Sequence, residues 1–212
     1  MKTGILWDLD GTLLDTLADL TDALNHTLAE FGYPQRTIEE VRRFVGNGAR
    51  RLIVLAVPDG GDVDGVLEAY QNYYAAHCQV KTGPYAGVLA ALAELGDKYP
   101  MAVVSNKPDG AAKTLCAQYF PSLYALGESA DCPRKPAPDM VFKAMKAIGV
   151  DRCVYVGDSE VDVLTARNAG VPCLSVLWGF RDREEIEAAG GQHFCSDPAM
   201  LTKTLEEMIN GK

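Results

Sequence analysis

Short apolar segments, each ending at a turn signal or a polar residue, alternate with helical patterns along most of this chain. Their length and β-branched content predict buried strands at Gly4–Trp7, Met101–Ser105, Cys153–Gly157 and Pro172–Val176, with Leu123–Leu126 as a further candidate. Helical patterns lie between or after them at Gly87–Leu95, Gly110–Gln118, Pro138–Ile148 and Val161–Asn168. This alternation predicts an α/β fold with a parallel sheet covered by helices on both faces.

One interval in this alternation is far too long for a single crossover. Nearly a hundred residues separate Trp7 from Met101, the end of the first predicted strand from the start of the second. Within it, residues from about 17 to 79 show only helical patterns, including Leu17–Phe31, Ile38–Phe44, Ala49–Ala56 and Val63–Cys78. We therefore predict a doubly wound, Rossmann-like core of residues 1–16 and 80–212, with a small helical cap domain inserted at residues 17–79.

The charge of the chain limits the partners that it can bind. Its formal net charge is −9, and no block of basic residues interrupts the acidic balance. A nucleic-acid or anionic-membrane binder needs a concentrated basic surface, so we expect neither partner. A small anion can still bind, because a few nearby groups set the field inside a site. We expect a small-molecule partner, and the oligomeric state stays open between monomer and homodimer.

The cysteines and the apolar runs bear on where in the cell the protein is located. The six cysteines are scattered, without a C-x-x-C pair or a histidine at metal-ligand spacing. Such spacing argues against zinc and against a disulfide framework, and it is typical of buried thiols under reducing conditions. Asp8 and Asp10 precede any apolar stretch long enough for a signal peptide, and the longest apolar run, Leu52–Val57, cannot span a bilayer. We expect a cytoplasmic protein.

The residues that close the predicted strands form a chemically coherent set, because ligands bind at the carboxyl edge of an open parallel sheet. Asp8-Leu9-Asp10-Gly11-Thr12 closes the first strand, and Ser105-Asn106-Lys107 closes the second. Asp158-Ser159 follows Cys153–Gly157, with Asp162 one helical turn further on, and Lys135 precedes another helix. Each residue alone is also common in turns and caps, but their joint occurrence at successive strand ends favours a catalytic site.

Clustered carboxylates repel one another, so a cation is needed at this edge of the sheet to offset the repulsion. Ligation by oxygen alone suits Mg²⁺, which takes one or two carboxylates together with substrate phosphate and water. With a phosphate present, one carboxylate can act as nucleophile and its neighbour two residues on as general acid and base. Lys135 would then be a point charge against the phosphoryl oxygens, and Ser105 would add a hydroxyl and a backbone N–H.

At these positions the chain resembles the haloacid dehalogenase superfamily of phosphohydrolases. The first motif of that family is similar to Asp8-Leu9-Asp10-Gly11-Thr12-Leu13, and the second to Ser105-Asn106. The third is similar to Lys135-Pro136-x-Pro138-Asp139, and the fourth to Gly157-Asp158-Ser159-x-x-Asp162. All four occur in order, the resemblance covers essentially the whole chain, and the predicted helical insertion resembles the cap of that family.

The resemblance implies that Asp8 attacks phosphorus and becomes a phosphoaspartyl intermediate, while Asp10 protonates the leaving alkoxide and then deprotonates water. A carboxyl group at the second position favours turnover, because relatives that preserve the phosphoenzyme, such as the P-type ion pumps, lack it. The resemblance also implies Mg²⁺ held by the Asp8 carboxylate, the Asp10 backbone carbonyl and Asp158. Asp162, with Ser159, would hold the metal or Lys135 in position from the layer of residues behind the direct contacts.

Within the predicted insertion, the glycine-flanked break Gly46-Asn47-Gly48 leads into a helix with Arg50 near its start. N–H groups at a helix N-terminus bind anions, and Arg50 can pair with a carboxylate, although a solvated loop would carry the same residues. This stretch, with Asp15-Thr16 and the segment Val176–Phe180, resembles bacterial phosphoglycolate phosphatases and implies 2-phosphoglycolate as substrate. The predicted substrate contacts are Gly11, Thr12, Gly46, Asn47, Gly48, Arg50 and Asn106.

Several other functions stay open from the sequence alone. Sugar-phosphate phosphatases, pyrophosphatases and phosphomutases of the same fold share much of this design. A response-regulator receiver also combines a phosphorylatable aspartate, Mg²⁺, a hydroxyl residue and a lysine, but the length of the chain and its helical insertion argue against it. A binding protein without activity is a further alternative, which the complete set of acids argues against.

Overall fold

The computed structural model describes residues 1–211 of the 212-residue chain. Its strands, in chain order, are β1 (Thr3–Trp7), β2 (Leu14–Asp15), β3 (Gly83–Pro84), β4 (Met101–Pro108), β5 (Tyr124–Glu128), β6 (Arg152–Gly157), β7 (Cys173–Val176) and β8 (His193–Cys195). Its helices are α1 (Leu17–Glu30), α2 (Ile38–Phe44), α3 (Gly48–Ala56), α4 (Val63–His77), α5 (Val88–Gly96), α6 (Asp109–Tyr119), α7 (Asp139–Ile148), α8 (Glu160–Ala169), α9 (Arg183–Ala188) and α10 (Leu201–Asn210), the last preceded by a short 3₁₀ turn.

The main sheet is parallel throughout and has six strands in the order β5-β4-β1-β6-β7-β8. Strand β1 lies inside the sheet, where Trp7 is in register with Val103 of β4 and Val156 of β6. The polar residues that follow β1 and β6, and those in the last part of β4, therefore emerge at one edge. The α/β prediction is confirmed, including the candidate strand at Leu123–Leu126, which corresponds to β5.

Both faces of this sheet are covered, which explains why its strands are almost continuously apolar. Along β1 the side chains alternate between two cores, with Ile5 and Trp7 in one and Leu6 in the other. The larger core continues into the inserted helices through side chains such as Leu24 and Ile53. One hydrophobic interior thus joins the sheet to the insertion.

Helices α1 to α4 occupy the long interval between the first two strands of the sheet. The short antiparallel pair β2 and β3 closes the base of the insertion, with Leu14 opposite Pro84 and Asp15 opposite Gly83. Asp19 of α1 reinforces this base by accepting hydrogen bonds from the backbone N–H groups of Lys81 and Thr82, at 2.9 Å. The chain enters and leaves the insertion through this pair, beside the carboxyl edge of the sheet.

Two parts of the sheet differ from the sequence-based expectation. Strand β4 does not end at Ser105 but continues to Pro108, because its polar side chains find buried partners and do not need solvent. Strand β8 was missed, since three residues including an exposed histidine carry no alternation signal. It forms only because β7 offers a free edge with which it pairs.

The cysteines, which the sequence analysis predicts to be buried thiols, lie mostly in the interior. All six are free, and five of them are buried. Among the described residues, no helix combines the length and the apolar character needed to cross a membrane.

Candidate active site

Asp8 follows β1 directly and lies buried at the carboxyl edge of the sheet. Its backbone N–H donates to the carbonyl of Val156 in the neighbouring strand at 2.8 Å. Its Oδ1 accepts from the N–H of Leu9 at 2.7 Å and lies 2.8 Å from the Nζ of Lys135. The carboxylate is therefore held in one orientation by the strand, the following turn and a lysine.

Lys135 is fully buried and bridges two carboxylates. Its Nζ lies 2.8 Å from Asp8 and 2.7 Å from Asp162, and it donates to the Tyr155 hydroxyl at 3.1 Å. Burial alone would lower the pKa of Lys135, but the Asp162 and Asp8 carboxylates outweigh it and raise the pKa well above its usual value. The ammonium group thus stays charged. Asp162 is fixed in turn by the N–H and Oγ of Ser159, at 3.2 and 2.6 Å.

Asn106 connects three parts of the site through its amide group. Its Oδ1 accepts from the Lys135 N–H at 2.7 Å, and its Nδ2 donates to the Lys135 carbonyl at 3.0 Å. The same Nδ2 donates to the carbonyl of Gly46 in the insertion at 3.1 Å. The structure therefore gives Asn106 a positioning role toward Lys135 and the inserted turn.

Asp158 follows β6 and contacts both the first turn and the segment after β7. Its Oδ1 accepts from the Thr12 hydroxyl at 3.2 Å, and its Oδ2 accepts from the Phe180 N–H at 2.7 Å. A Cβ on Gly11, whose φ is +83°, would lie 2.3 Å from Asp158 Oδ2. A glycine is required there because of both its backbone conformation and its closeness to the carboxylate.

Gly179 leaves equally little room on the other side of Asp158. A Cβ at Gly179 would lie 2.3 Å from Asp158 Cβ and 2.5 Å from the Gly11 carbonyl oxygen. Because backbone would have to move, we expect Gly179→Ala to lower the free energy of unfolding by about 1–3 kcal/mol. The matched Gly110→Ala change, in α6 with nothing within 4 Å, should raise it by up to about 1 kcal/mol. Urea unfolding measures both, and equal effects would contradict this account.

A group of three buried carboxylates, Asp8, Asp158 and Asp162, brings ligand oxygens within 4.8 Å of one another. Burial, followed by the Asp162 charge, raises the pKa of Asp8 well above its usual value and that of Asp158 to about 7. A divalent cation would offset this repulsion and favour the ionised forms. Asp162 is already bound by Lys135 and Ser159. Asp8 and Asp158 therefore suit a hard, oxygen-preferring metal such as Mg²⁺.

Asp10 carries a second ion pair, which the sequence analysis did not anticipate. Lys107 Nζ lies 2.8 and 3.0 Å from the two Asp10 carboxylate oxygens, and the lysine side chain is only 2% exposed. The same Nζ lies 4.7 Å from the centroid of the Tyr74 ring, which belongs to α4. The acid next to Asp8 is thus linked to the insertion through a buried lysine.

These groups open into a cleft between the strand ends and the insertion. One wall is polar and comes from the strand ends, whereas the other is largely apolar and comes from the insertion. The lining residues are Asp8, Asp10, Leu20, Val45, Gly46, Gly48, Ala49, Leu52, Tyr70, Tyr74, Ser105, Asn106, Lys107, Pro108, Asp158, Ser159, Phe180 and Arg181.

Most of the predicted site residues meet at this cleft or directly behind it. Gly11, Thr12, Lys135 and Asp162 are not part of the lining, but each lies against a residue that is. Asn47 is the N-cap residue of α3 and makes no side-chain cap hydrogen bond. Arg50 is not in the lining: its Nη1 pairs with Asp64 Oδ1 at 2.7 Å, and its side chain is 57% exposed. The structure does not bring Arg50 to the site.

Arg181 is a site residue that sequence reasoning missed. It lines the cleft, and it donates to the carbonyls of Arg42 and Val45 at 2.9 and 2.6 Å while its Nε donates to Glu160 at 3.0 Å. It therefore ties the segment after β7 to the end of α2. The only signal was its position directly after the segment Val176–Phe180, since no motif includes it.

Comparisons with known proteins agree with this geometry. The model of the haloacid dehalogenase-like hydrolase family matches residues 5–176, which is most of the chain. The phosphoglycolate phosphatase of Mesorhizobium japonicum is 34% identical over 219 residues, covering 97% of this chain and 96% of the relative. That of Agrobacterium fabrum is 34% identical over 221 residues, covering 98% and 94%.

A solved structure extends the likeness to three dimensions. The protein from Lactobacillus delbrueckii subsp. bulgaricus, provisionally named a phosphoglycolate phosphatase, matches with a TM-score of 0.90 at 37% identity. The match covers 97% of this chain and 99% of that one. With the family match and the full-length relatives, the non-enzymatic alternatives are set aside. The chain therefore belongs to the haloacid dehalogenase-like hydrolases and is a phosphatase of that family.

Proposed function

We propose that this phosphatase is magnesium-dependent and hydrolyses 2-phosphoglycolate through a phosphoaspartyl intermediate. The observation that carries the reaction is the juxtaposition of Asp8 and Asp10 in one cleft, the former paired with Lys135 at 2.8 Å. The substrate is supported by the names of the full-length relatives, which are phosphoglycolate phosphatases.

The reaction proceeds in two displacements at phosphorus. In the first, a carboxylate oxygen of Asp8 forms a bond to phosphorus as the ester P–O bond breaks, and Asp10 gives its proton to the departing alkoxide. In the second, Asp10 takes a proton from water, and the water oxygen forms a bond to phosphorus as the bond between phosphorus and the Asp8 oxygen breaks. Inorganic phosphate leaves, and the Asp8 carboxylate is regenerated with both original oxygen atoms.

Lys135 and Ser105 would bind the phosphoryl group during both displacements. The Lys135 ammonium is already directed at Asp8, so its charge lies beside the oxygen that attacks. Ser105 lines the cleft and supplies a hydroxyl that currently accepts from the Lys107 N–H at 3.2 Å. Both residues are buried, which strengthens their interaction with the charge that moves onto phosphate.

The residues that would hold Mg²⁺ are the Asp8 carboxylate, the Asp10 backbone carbonyl and Asp158. When bound, the ion neutralises charge on the transferring phosphoryl group. Thr12 and Phe180 orient the Asp158 carboxylate for this task through their hydrogen bonds. Asp162 acts through Lys135, which it contacts at 2.7 Å.

We expect Asp158→Asn to raise the Mg²⁺ concentration that gives half-maximal activity. An amide keeps the size of the carboxylate but removes its charge, which weakens the binding of a hard dication. The shift should be at least about 10-fold, equivalent to about 1.4 kcal/mol. Titration of activity with Mg²⁺ measures it, with exposed Asp151→Asn as the matched control. An unchanged Mg²⁺ requirement would remove Asp158 from the metal site.

Residues 17–79 would act as a cap over the cleft. Leu20, Val45 and Leu52 from this insertion form part of the apolar wall, and Asn106 binds its Gly46 carbonyl across the boundary. An apolar cap excludes water from the phosphoenzyme site except for the attacking molecule. The free thiols favour a reducing compartment such as the cytoplasm, and the acidic balance of the chain disfavours nucleic-acid partners.

The proposed function is tested by phosphate release from a panel of esters. The panel contains 2-phosphoglycolate, sugar phosphates, nucleotides and pyrophosphate, each with and without Mg²⁺. We expect the highest kcat/KM for 2-phosphoglycolate and release without any sugar acceptor, which a phosphomutase would require. A higher kcat/KM for a sugar phosphate or for pyrophosphate would overturn the substrate assignment but leave the reaction unchanged.

A further inference from the structure

A substrate that carries a carboxylate besides its phosphate needs a second cation in the cleft, and the described residues offer few. Lys135 is committed to Asp8 and Asp162 on the phosphate side. Arg181 lines the cleft, but its guanidinium is bound to backbone carbonyls of the insertion and to Glu160. Arg50 is exposed and paired with Asp64. Lys107 is the remaining lysine or arginine in the lining.

The position of Lys107 fits the leaving-group side of the reaction. Its Nζ contacts both Asp10 oxygens, at 2.8 and 3.0 Å. Asp10 must reach the ester oxygen in order to protonate it. In 2-phosphoglycolate the carboxylate carbon is two bonds from that oxygen. An ammonium group at hydrogen-bonding distance from Asp10 is therefore next to the place where the substrate carboxylate has to lie.

Tyr74 supplies a second, independent sign of a ligand at this point. Its side chain is only 3% exposed, it lines the cleft, and its hydroxyl has no hydrogen-bond partner among the described residues. A buried hydroxyl without a partner costs free energy, which a ligand acceptor would recover. The Lys107 Nζ lies 4.7 Å from the centre of the same ring, so the ammonium group and the phenol ring are next to each other.

We propose that Lys107, together with the Tyr74 hydroxyl, binds the carboxylate of the substrate. This inference rests on the proposed function, since it assumes a carboxylate-bearing phosphate ester. The carboxylate would replace or share Asp10 as the partner of the ammonium, so substrate binding would free Asp10 to face the ester oxygen. The other carbon of the substrate would contact the apolar wall of the cap.

The test compares two phosphate esters of similar size, 2-phosphoglycolate and 2-hydroxyethyl phosphate, in which an uncharged hydroxymethyl group replaces the carboxylate. In Lys107→Met, the kcat/KM ratio between them should fall by roughly 10- to 150-fold, as expected for the loss of a charged hydrogen bond. In Tyr74→Phe it should fall by roughly 3- to 10-fold. Lys143→Met, at an exposed position of α7, is the matched control and should leave the ratio unchanged.

Binding provides a readout that does not depend on turnover. Calorimetry in an Asp8→Asn background measures the binding of each ester. Lys107→Met should weaken the binding of 2-phosphoglycolate but not that of 2-hydroxyethyl phosphate. Lys107→Arg should retain part of the preference for 2-phosphoglycolate. Equal losses for both esters would overturn the proposal and leave Lys107 as a residue that positions Asp10. A selective loss in Arg50→Ala with none in Lys107→Met would also overturn it. If the wild-type enzyme itself shows no preference for 2-phosphoglycolate, the proposed substrate fails instead.

Discussion

Asp8→Asn is expected to lower kcat by roughly 10⁴-fold or more, because an amide of nearly the same size is a far poorer nucleophile than a carboxylate. The variant should fold, since Lys135 keeps its contact with Asp162 at 2.7 Å and the backbone bond from Asp8 to Val156 is unaffected. Phosphate release measures turnover, and circular dichroism with urea unfolding checks the fold.

A second measurement identifies the intermediate directly. Acid quenching of the wild-type enzyme during turnover, followed by mass spectrometry of its peptides, should find one phosphoryl group on the peptide that contains Asp8. Asp97→Asn, an exposed aspartate at the end of α5, controls for the loss of a charge elsewhere. Substantial turnover by folded Asp8→Asn, or a phosphoryl group on another residue, would remove Asp8 from the nucleophile role.

Lys135→Met is expected to lower the free energy of unfolding by about 3–5 kcal/mol, because it leaves two buried carboxylates without their counter-charge. Methionine has a similar length but no charge, so the effect on packing is small. Lys98→Met is the matched control: Lys98 also lies 2.7 Å from a carboxylate, that of Glu206, but this pair is partly exposed. Its loss should have a much smaller effect on the free energy of unfolding, because solvent screens an exposed ion pair.

Urea unfolding in the presence of a chelator measures the stability of both variants when no bound cation can compensate for the lost ammonium group. Adding Asp162→Asn to Lys135→Met should recover part of the lost stability, since one of the two uncompensated charges is then absent. The double variant should remain inactive, because no ammonium faces Asp8. If Lys135→Met and Lys98→Met destabilised the protein equally, the buried bridge from Asp8 to Asp162 would have no special role in the fold.

The sequence by itself determined the α/β fold and most of the residues at the site. A strand buried on both faces must be almost continuously apolar, so β1 and β6 could be recognised from composition over a few residues. Ligand-binding groups lie at the carboxyl ends of such strands, so Asp8, Asp10 and Asp158 could be assigned to this edge of the sheet from their positions after β1 and β6. Both signals depend only on residues that are close together in the chain, so they can be recognised in a single sequence.

The partners of these residues were decided only by the tertiary structure. The bond between Lys107 and Asp10 joins residues 97 positions apart, and no spacing rule relates them. Arg181 reaches backbone carbonyls 136 to 139 residues earlier. Backbone carbonyls are present at every residue, so the sequence around α2 could not mark them as acceptors. Arg50 is the opposite case: a local pattern predicted a substrate contact, but in the fold its side chain pairs with Asp64 and does not line the cleft. Which cation faces the cleft depends on how the insertion packs over the sheet, and that packing is set by the shared hydrophobic core as a whole and not by any one motif.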